Sequence, residues 1–277
     1  MEKRYYESAF AFLDLLSVTK LLETDDGVFL NTLGNIYHSA IKLCIAPLQK
    51  QINYQIFSDN IIFEIPITST NGMEEYIQLA EFVSIVQDFL LRNHLLVRGG
   101  ITIGLSYTDR DFVLGKALVD SYTIESKQAI YPRIVIDSKI VPTIQSYISN
   151  KTPLSYCCAK DNDGLFYIDY LRCPGRQYKD YISLIDDALR YNKSEMNKHY
   201  ENSSIISKLL WHDNYLRKAH DYYLKLLEKK TRVISVRTNL KLLSFDCHRA
   251  KNEPRNTVNS AFFGSCTLFK LAESGLI

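Results

Sequence analysis

Residues 52–67, with the sequence INYQIFSDNIIFEIPI, decide the fold because they predict two strands joined by a tight turn. Apolar and aromatic residues dominate residues 52–57 and 61–67, and the three residues between these runs, Ser58-Asp59-Asn60, favour turns. The stretch therefore predicts a β-hairpin that carries an acidic residue, Asp59, in its turn.

The segments around this hairpin predict a sheet with helices packed against it. Before it lie a buried strand over residues 9–16, which ends near Asp14, and a helix over residues 27–46. After it follow a helix, a strand, a helix and a strand, over residues 73–92, 95–107, 115–129 and 133–137. The order β-α-β-β-α-β is that of an α+β, ferredoxin-like fold, in which an antiparallel sheet has helices on one face.

The chain changes character after Pro174-Gly175. Two more strands are predicted before that point, over residues 154–159 and 165–171, whereas residues 178–230 predict two helices. We therefore expect a sheet domain over residues 1–175 and a C-terminal helical extension and tail over residues 176–277.

The composition excludes several classes of protein. The net charge of the 277 residues is 33 − 31 = +2, which is too small for a protein that coats nucleic acid. No apolar stretch reaches the roughly 18 residues of a membrane span, and Asp14 interrupts the apolar run near the N-terminus. The six cysteines show no CxxC spacing. These features predict a cytoplasmic globular protein that binds neither membranes nor nucleic acid.

Two acidic residues, Asp14 and Asp59, stand out by their positions. In a ferredoxin-like sheet their strands are neighbours, so both carboxylates can reach one edge of the sheet. Carboxylates that lie so close repel each other unless a cation lies between them. Oxygen ligands with room for water and phosphate suit Mg²⁺ or Mn²⁺ and would support phosphoryl chemistry with two metal ions. The alternative is structural, with each Asp accepting hydrogen bonds in its own turn.

Several motifs resemble a known enzyme family. FLDLLSVT (residues 12–19), QIFSD (55–59) and RGGITIG (98–104) resemble motifs of the class III nucleotide cyclases. Further motifs are similar to the pyrimidine cyclases of the Pycsar anti-phage systems: FSDNI (57–61), LGKALV (114–119), Tyr122, IES (124–126), AIYPRIVID (129–137), and KLLW (208–211) followed by Asn214-Tyr215. The resemblance covers roughly residues 9–220.

The resemblance implies a homodimeric cyclase that converts UTP or CTP to the 3′,5′-cyclic nucleotide and pyrophosphate. The cyclic nucleotide would be a second messenger that activates an effector, which kills or arrests a phage-infected cell. Two divalent cations, Mn²⁺ or Mg²⁺, would be ligated by Asp14, Asp59 and the main-chain carbonyl of Leu15.

The resemblance also assigns residues to the triphosphate. Backbone N–H groups of Leu16, Ser17 and Val18 would hold phosphate oxygens, although the family prefers Gly where Ser17 stands. Phe12, in the same motif, would lie at the substrate.

Two basic residues would complete the catalytic set. Purine cyclases stabilise the transition state with an Asn and an Arg on the helix after the fourth strand, and this chain has neither at those positions. Charge on the phosphate would then be met by the metal ions, Arg98, Lys116 or another basic group. Arg98 has an equal alternative role, in which it binds a carboxylate, and we expect Arg133 to pair with Glu125.

The base-reading position of class III cyclases lies four residues before the hairpin Asp, and enzymes acting on ATP carry Lys there. This chain has Gln55 at that position, with Tyr54 beside it, so purines are disfavoured. Because a flip exchanges the donor and acceptor of an amide, Gln55 suits uracil or cytosine, and UTP is the favoured substrate. The alternatives are an adenylate or guanylate cyclase and a catalytically degenerate binding module.

Overall fold

The computed structural model describes residues 4–16, 52–70, 72–150, 158–172 and 178–246, together with residues 27, 31, 34, 35 and 38. The tail after residue 246 and most of the helix expected over residues 27–46 lie outside the described residues.

Eight strands form one sheet. They are β1 (Tyr6–Leu15), β2 (Asn53–Phe57), β3 (Asn60–Pro66), β4 (Val97–Thr108), β5 (Val113–Gly115), β6 (Ile134–Ile136), β7 (Cys158–Lys160) and β8 (Phe166–Ile168). The order across the sheet is β2-β3-β1-β4-β6-β8-β7, and β5 pairs with β4. The described pairs are antiparallel except β4 with β6, because the connection between these two strands includes a helix that returns the chain to its starting end. The sheet is therefore mixed, where we expected it to be antiparallel.

β1 lies in the interior of the sheet and positions the candidate site. It pairs with β3 on one side and β4 on the other, so that Asp14 lies opposite Asn60 and opposite Arg98. Side chains alternate between the two faces of a strand, so Phe10 and Phe12 share the face of Asp14. Apolar residues are buried on both faces of β1, which explains why this segment is almost continuously apolar.

Helices cover both faces of the sheet. α1 (Met73–Arg92) packs against the face opposite to Phe10 and Phe12, and α2 (Lys116–Lys127) packs against these two residues. This close approach requires Gly100 of β4, because a Cβ there would collide with the carbonyl oxygen of Ser121. The α+β class is confirmed, and the position of α2 differs from the expected arrangement with helices on one face.

The remaining helices share one hydrophobic core with the sheet. They are α3 (Val141–Asn150), a 3-10 helix (Tyr170–Arg172), α4 (Tyr178–Lys198) and α5 (Ser203–Asp246). Buried residues of α4 and α5, such as Ile185 and Leu216, belong to the same cluster as Leu13 of β1 and Leu79 of α1. The two expected C-terminal helices are thus present and pack on the sheet domain. None of the described helices is both long and apolar enough to cross a membrane.

Candidate active site

Asp14 and Asp59 lie beside each other at one end of the sheet. Asp14 is the last residue but one of β1, and Asp59 lies in the turn between β2 and β3. The N–H of Leu15 donates a hydrogen bond to the carbonyl oxygen of Asp59 (2.9 Å), which ties the turn to the end of β1. Nδ2 of Asn60, the residue opposite Asp14, donates to Asp59 Oδ1 (3.1 Å). Both side chains are partly exposed, so a ligand can reach them.

Arg98 connects the first carboxylate to α2. Its Nε atom donates a hydrogen bond to Asp14 Oδ2 (2.8 Å) and also lies 2.8 Å from Oε1 of Glu125. Two roles were expected for Arg98, to bind a carboxylate or to bind the triphosphate. In the structure it contacts two carboxylates. A guanidinium held between two acids keeps its other nitrogens for a further anion.

Glu125, near the end of α2, completes this charged cluster and is buried, with its side chain 4% exposed. Burial raises the pKa of Glu125 to about 7; Arg98 opposes this shift, and Asp14 and Asp59 add to it. Glu125 and Asp14 contact the same nitrogen of Arg98, and the turn that carries Asp59 is bonded to the residue after Asp14. The cluster therefore concentrates negative charge at one end of the sheet.

The donor set fits a hard divalent cation. Two carboxylates and the main-chain carbonyl of Leu15 are oxygen ligands, which Mg²⁺ and Mn²⁺ prefer. Within the part of the chain that the structure describes, no group of three or more His, Cys, Asp or Glu side chains is arranged to hold a metal ion. Cations bound by Asp14 and Asp59 would therefore take further ligands from water and phosphate oxygens, as Mg²⁺ does in many phosphoryl-transfer enzymes.

The expected phosphate loop is described only at its first residue. The N–H of Leu16 donates to the carbonyl oxygen of Leu96 (2.8 Å), so in this structure it is not available to a phosphate. This hydrogen bond continues the pairing of β1 with β4 by one residue, which explains why the Leu16 N–H is engaged. Ser17 and Val18 lie outside the described residues.

Gln55 lies on the same face of the sheet as Asp14. It pairs with Ile62, which packs with Phe12 in the cluster below α2. Its amide Nε2 donates a hydrogen bond to the carbonyl oxygen of Asp109 (3.1 Å). This bond fixes the orientation of the amide and leaves its oxygen as an acceptor for another group.

Tyr54 lies on the opposite face from Gln55, because neighbouring residues of a strand alternate. It pairs with Phe63, whose ring packs against Phe82 of α1 at a centroid distance of 4.8 Å. Within one chain the structure therefore does not bring Tyr54 to Asp14.

A cluster of aromatic side chains lies beside Gln55 on the α2 face, and of its members only Phe12 was predicted to lie at the substrate. Phe12 is buried, and its ring contacts Phe57 of β2 (centroids 6.3 Å apart) and Tyr122 of α2 (5.4 Å). Phe57 and Tyr122 are about half exposed. The period-two pattern of β2 could have placed Phe57 on this face, but not Tyr122, which comes from a distant helix.

Lys116 lies far from Asp14 in the same chain. It begins α2 next to the end of β4 that pairs with β5, where Ser106 lies opposite Gly115. Eight residues of β4 separate Ser106 from Arg98, a span of about 26 Å at strand geometry. Its ammonium pairs with Asp120 (2.8 Å), and its side chain is 69% exposed. Within one chain the structure therefore does not bring Lys116 to Asp14.

The expected ion pair of Arg133 with Glu125 is not formed. The Arg133 guanidinium instead binds the carboxylates of Asp161 and Asp163, in the turn between β7 and β8. Arg133 reaches these aspartates because it lies just before β6, and β6 is the neighbour of β8, the strand that follows the turn. Glu125 pairs with Arg98 in its place. The sequence contains all of these charged residues, but only the strand order shows that Glu125 meets Arg98 and that the two aspartates meet Arg133.

Comparisons with known proteins give structural similarity only. No protein-family model matches the chain, and no curated protein matches it either. Among solved structures, the chain is similar to the adenylyl cyclase CyaB from P. aeruginosa, with 15% identity over 64% of this chain and 98% of that one and a TM-score of 0.46. It is also similar to the guanylyl cyclase Cya2 (12% identity, 61% and 93% covered, TM-score 0.41). A third is an adenylate/guanylate cyclase/hydrolase from Silicibacter pomeroyi (16% identity, 60% and 96% covered, TM-score 0.41). At these values, activity has to be argued from the residues of the site.

Proposed function

We propose that this chain is a nucleotide cyclase that acts on a pyrimidine nucleoside triphosphate. The observation that carries the proposal is the juxtaposition of Asp14 and Asp59, which a main-chain hydrogen bond from Leu15 to Asp59 ties together at the end of β1. These two carboxylates occupy the positions in the FLDLL and FSD motifs that resemble the metal-binding motifs of class III cyclases.

The reaction would be an internal phosphoryl transfer. The 3′-hydroxyl oxygen of the nucleotide attacks its own α-phosphorus, the bond from that phosphorus to the β-phosphate oxygen breaks, and pyrophosphate leaves. The hydroxyl proton passes to a base or to water, so that atoms and charge balance. Two divalent cations at such a site would supply charge neutralisation of the phosphates and a lower pKa of the hydroxyl.

The residues of the chain would hold and orient these groups. Asp14, Asp59 and the carbonyl of Leu15 are the proposed cation ligands. Arg98, which already lies between two carboxylates, would offer its remaining N–H groups to a phosphate oxygen. Glu125 fixes the position of Arg98 from the side of α2.

The preference for a pyrimidine is proposed from Gln55 and its surroundings. The Gln55 amide is held by the Asp109 carbonyl and lies beside Phe57 on the face of Asp14. An amide can bind the edge of uracil or cytosine, and an exposed aromatic ring can stack on the base. Uracil offers the ring N–H and cytosine the exocyclic amine as a donor to the Gln55 oxygen, and we favour UTP.

The wider role is proposed from the motifs shared with the Pycsar cyclases. The chain would act as a cytoplasmic homodimer, and its cyclic nucleotide would activate an antiviral effector during phage infection. The dimer is supported by the position of Lys116, which is too far from Asp14 to act in its own chain and is exposed for contact with another.

An assay with each of the four ribonucleoside triphosphates and Mn²⁺ tests the function. We expect 3′,5′-cyclic UMP or cyclic CMP with an equal amount of pyrophosphate, and far less product from ATP or GTP. Cyclic AMP or GMP as the main product would establish a purine cyclase instead. A non-catalytic binding module is favoured by one observation, the hydrogen bond that already engages Asp14, and would give no product with any of the four.

A further inference from the structure

The long C-terminal helix α5 is fastened to the sheet next to the candidate site. Nε1 of Trp211 donates a hydrogen bond to Asp161 Oδ2 (2.7 Å), and its ring stacks on Tyr131 with centroids 5.7 Å apart. The Arg133 guanidinium lies 5.7 Å from the centre of the same ring. The carbonyl of Arg133 accepts a hydrogen bond from the N–H of Gly99 (3.1 Å), the residue after Arg98.

A second contact fixes the rotation of α5 about its axis. His212 is buried and lines a small cavity together with Leu96 and Val97, at the start of β4. Trp211 and His212 therefore both face the end of the sheet that carries Arg98.

Lys208 lies one helical turn before these two residues. Residues three and four apart on a helix are neighbours, about 5–6 Å apart at their Cβ atoms, and side chains tilt towards the helix N-terminus. Lys208 thus shares the face of Trp211 and His212, which is turned towards the end of the sheet that carries Arg98. Consistent with this position, burial and the Arg98 guanidinium lower the pKa of Lys208, while Asp14 opposes that shift.

The charge of Lys208 has no matched partner in the described part of the chain. The lysine is half-buried, and no described carboxylate lies within ion-pair distance of its ammonium group. Leu209 beside it is buried, so the helix cannot turn the lysine away without exposing apolar surface. The acidic groups of this cluster, Asp14 and Glu125, already contact Arg98, so among the described residues the Lys208 ammonium has no ion pair of its own and can take an added anion.

We propose that Lys208 of α5 binds the polyphosphate of the substrate, so that the C-terminal extension contributes directly to the active site. This inference rests on the proposed function for the identity of the substrate, but the chemistry it requires is only that of a polyphosphate. Arg98 and Lys208 would hold the anion from two sides. A site without the C-terminal extension would therefore lack one of these two cationic groups.

Binding of inorganic tripolyphosphate tests this directly, by calorimetric titration of the full chain at saturating Mg²⁺. We expect Lys208→Met to weaken binding on the order of tenfold or more, the effect of losing one charge-assisted hydrogen bond, and to reduce its salt dependence. Lys208→Arg should retain most of the affinity. Lys218→Met is the matched control, since Lys218 is exposed on the same helix, and it should bind like the wild type.

The other outcomes overturn the proposal. If Lys208 only neutralises Asp14, Lys208→Met will bind Mn²⁺ more tightly than the wild type and tripolyphosphate equally well. Wild-type protein that fails to bind tripolyphosphate, or equal weakening by Lys218→Met, would also exclude it. Melting temperatures and circular dichroism show whether each variant folds. A wild type that makes no cyclic nucleotide refutes the cyclase proposal, and the titration still decides the role of Lys208.

Discussion

Arg98 holds Asp14 and Glu125 with the same nitrogen. Its Nε atom lies 2.8 Å from Asp14 Oδ2 and 2.8 Å from Glu125 Oε1, but the N–H is directed at Asp14. Oε1 of Glu125 is buried and accepts no hydrogen bond from any described residue. Glu125 lies against Arg98, and a hydrogen bond with Asp14 contributes to its raised pKa, so its protonation and the binding of cations at Asp14 should affect each other.

Removal of either proposed cation ligand should abolish activity without unfolding the protein. We expect Asp14→Asn and Asp59→Asn each to lower cyclase turnover by at least about 100-fold, because both cations lose a charged ligand. EDTA in excess should have the same effect on the wild type, and added Mn²⁺ should restore it. Full turnover in EDTA would refute the metal mechanism, and circular dichroism of the variants checks their folding.

The stability of the cation-free protein should depend on pH through Glu125. Its pKa of about 7 when folded exceeds the ordinary 4.5. Between these values the folded state binds more protons than the unfolded state, so stability falls as pH rises from about 4.5 to 7. Glu125→Gln should remove this loss and be more stable than the wild type above pH 7, by up to about 3 kcal/mol.

Urea unfolding in EDTA at pH 5 and pH 8 measures this difference. Glu75→Gln is a useful control, because burial would raise the pKa of Glu75 but hydrogen bonds from Ser69 and Thr68 hold it at about 2. That variant should be less stable than the wild type at both pH values. An equal stability of Glu125→Gln and the wild type at pH 8 would mean that the buried carboxylate is fully compensated by Arg98.

Base choice should depend on Gln55 and much less on Tyr54. Gln55→Ala removes the amide on the face of Asp14, and we expect the preference for UTP over CTP to fall about tenfold, the value of a lost hydrogen bond to the favoured base. Tyr54→Ala should leave that ratio nearly unchanged, since Tyr54 lies on the other face of β2. The reverse result would place the base pocket on the α1 side. Competition between the two nucleotides in one reaction measures the ratio.

Lys116 should act in the active site of a partner chain. Asp14→Ala and Lys116→Ala homodimers should each be inactive, but a mixed dimer has one site with both defects and one with neither. With random exchange about half the dimers are mixed, so about a quarter of wild-type activity should return. Differently tagged chains verify the exchange. Verified exchange without recovery would show that Lys116 does not act across the dimer.

The C-terminal helices and the sheet should unfold together, because their apolar residues form one core. The chain contains one tryptophan, Trp211, so its fluorescence reports the packing of α5 on the sheet. Circular dichroism reports the whole chain, and we expect both signals to change at the same urea concentration. A fluorescence transition at lower urea would instead support an independent extension after residue 175.

The local elements and the two aspartates could be predicted from the sequence. The helix over residues 73–92 and the hairpin around Asp59 follow from apolar spacing and turn residues, which depend only on nearby residues. Asp14 and Asp59 could be placed together because a β-hairpin and its neighbouring strand leave few alternatives.

The tertiary structure alone decided which distant side chains join the two aspartates. Glu125 faces Arg98 and not Arg133 because of the strand order, and α2 reaches its face of the sheet because Gly100 admits it. Lys208 shares the face of α5 that packs on the sheet, because Trp211 binds Asp161 and His212 lies against the start of β4. Periodicity shows which face of an element is buried, but the partner of that face is chosen by packing between elements that are separated in the chain.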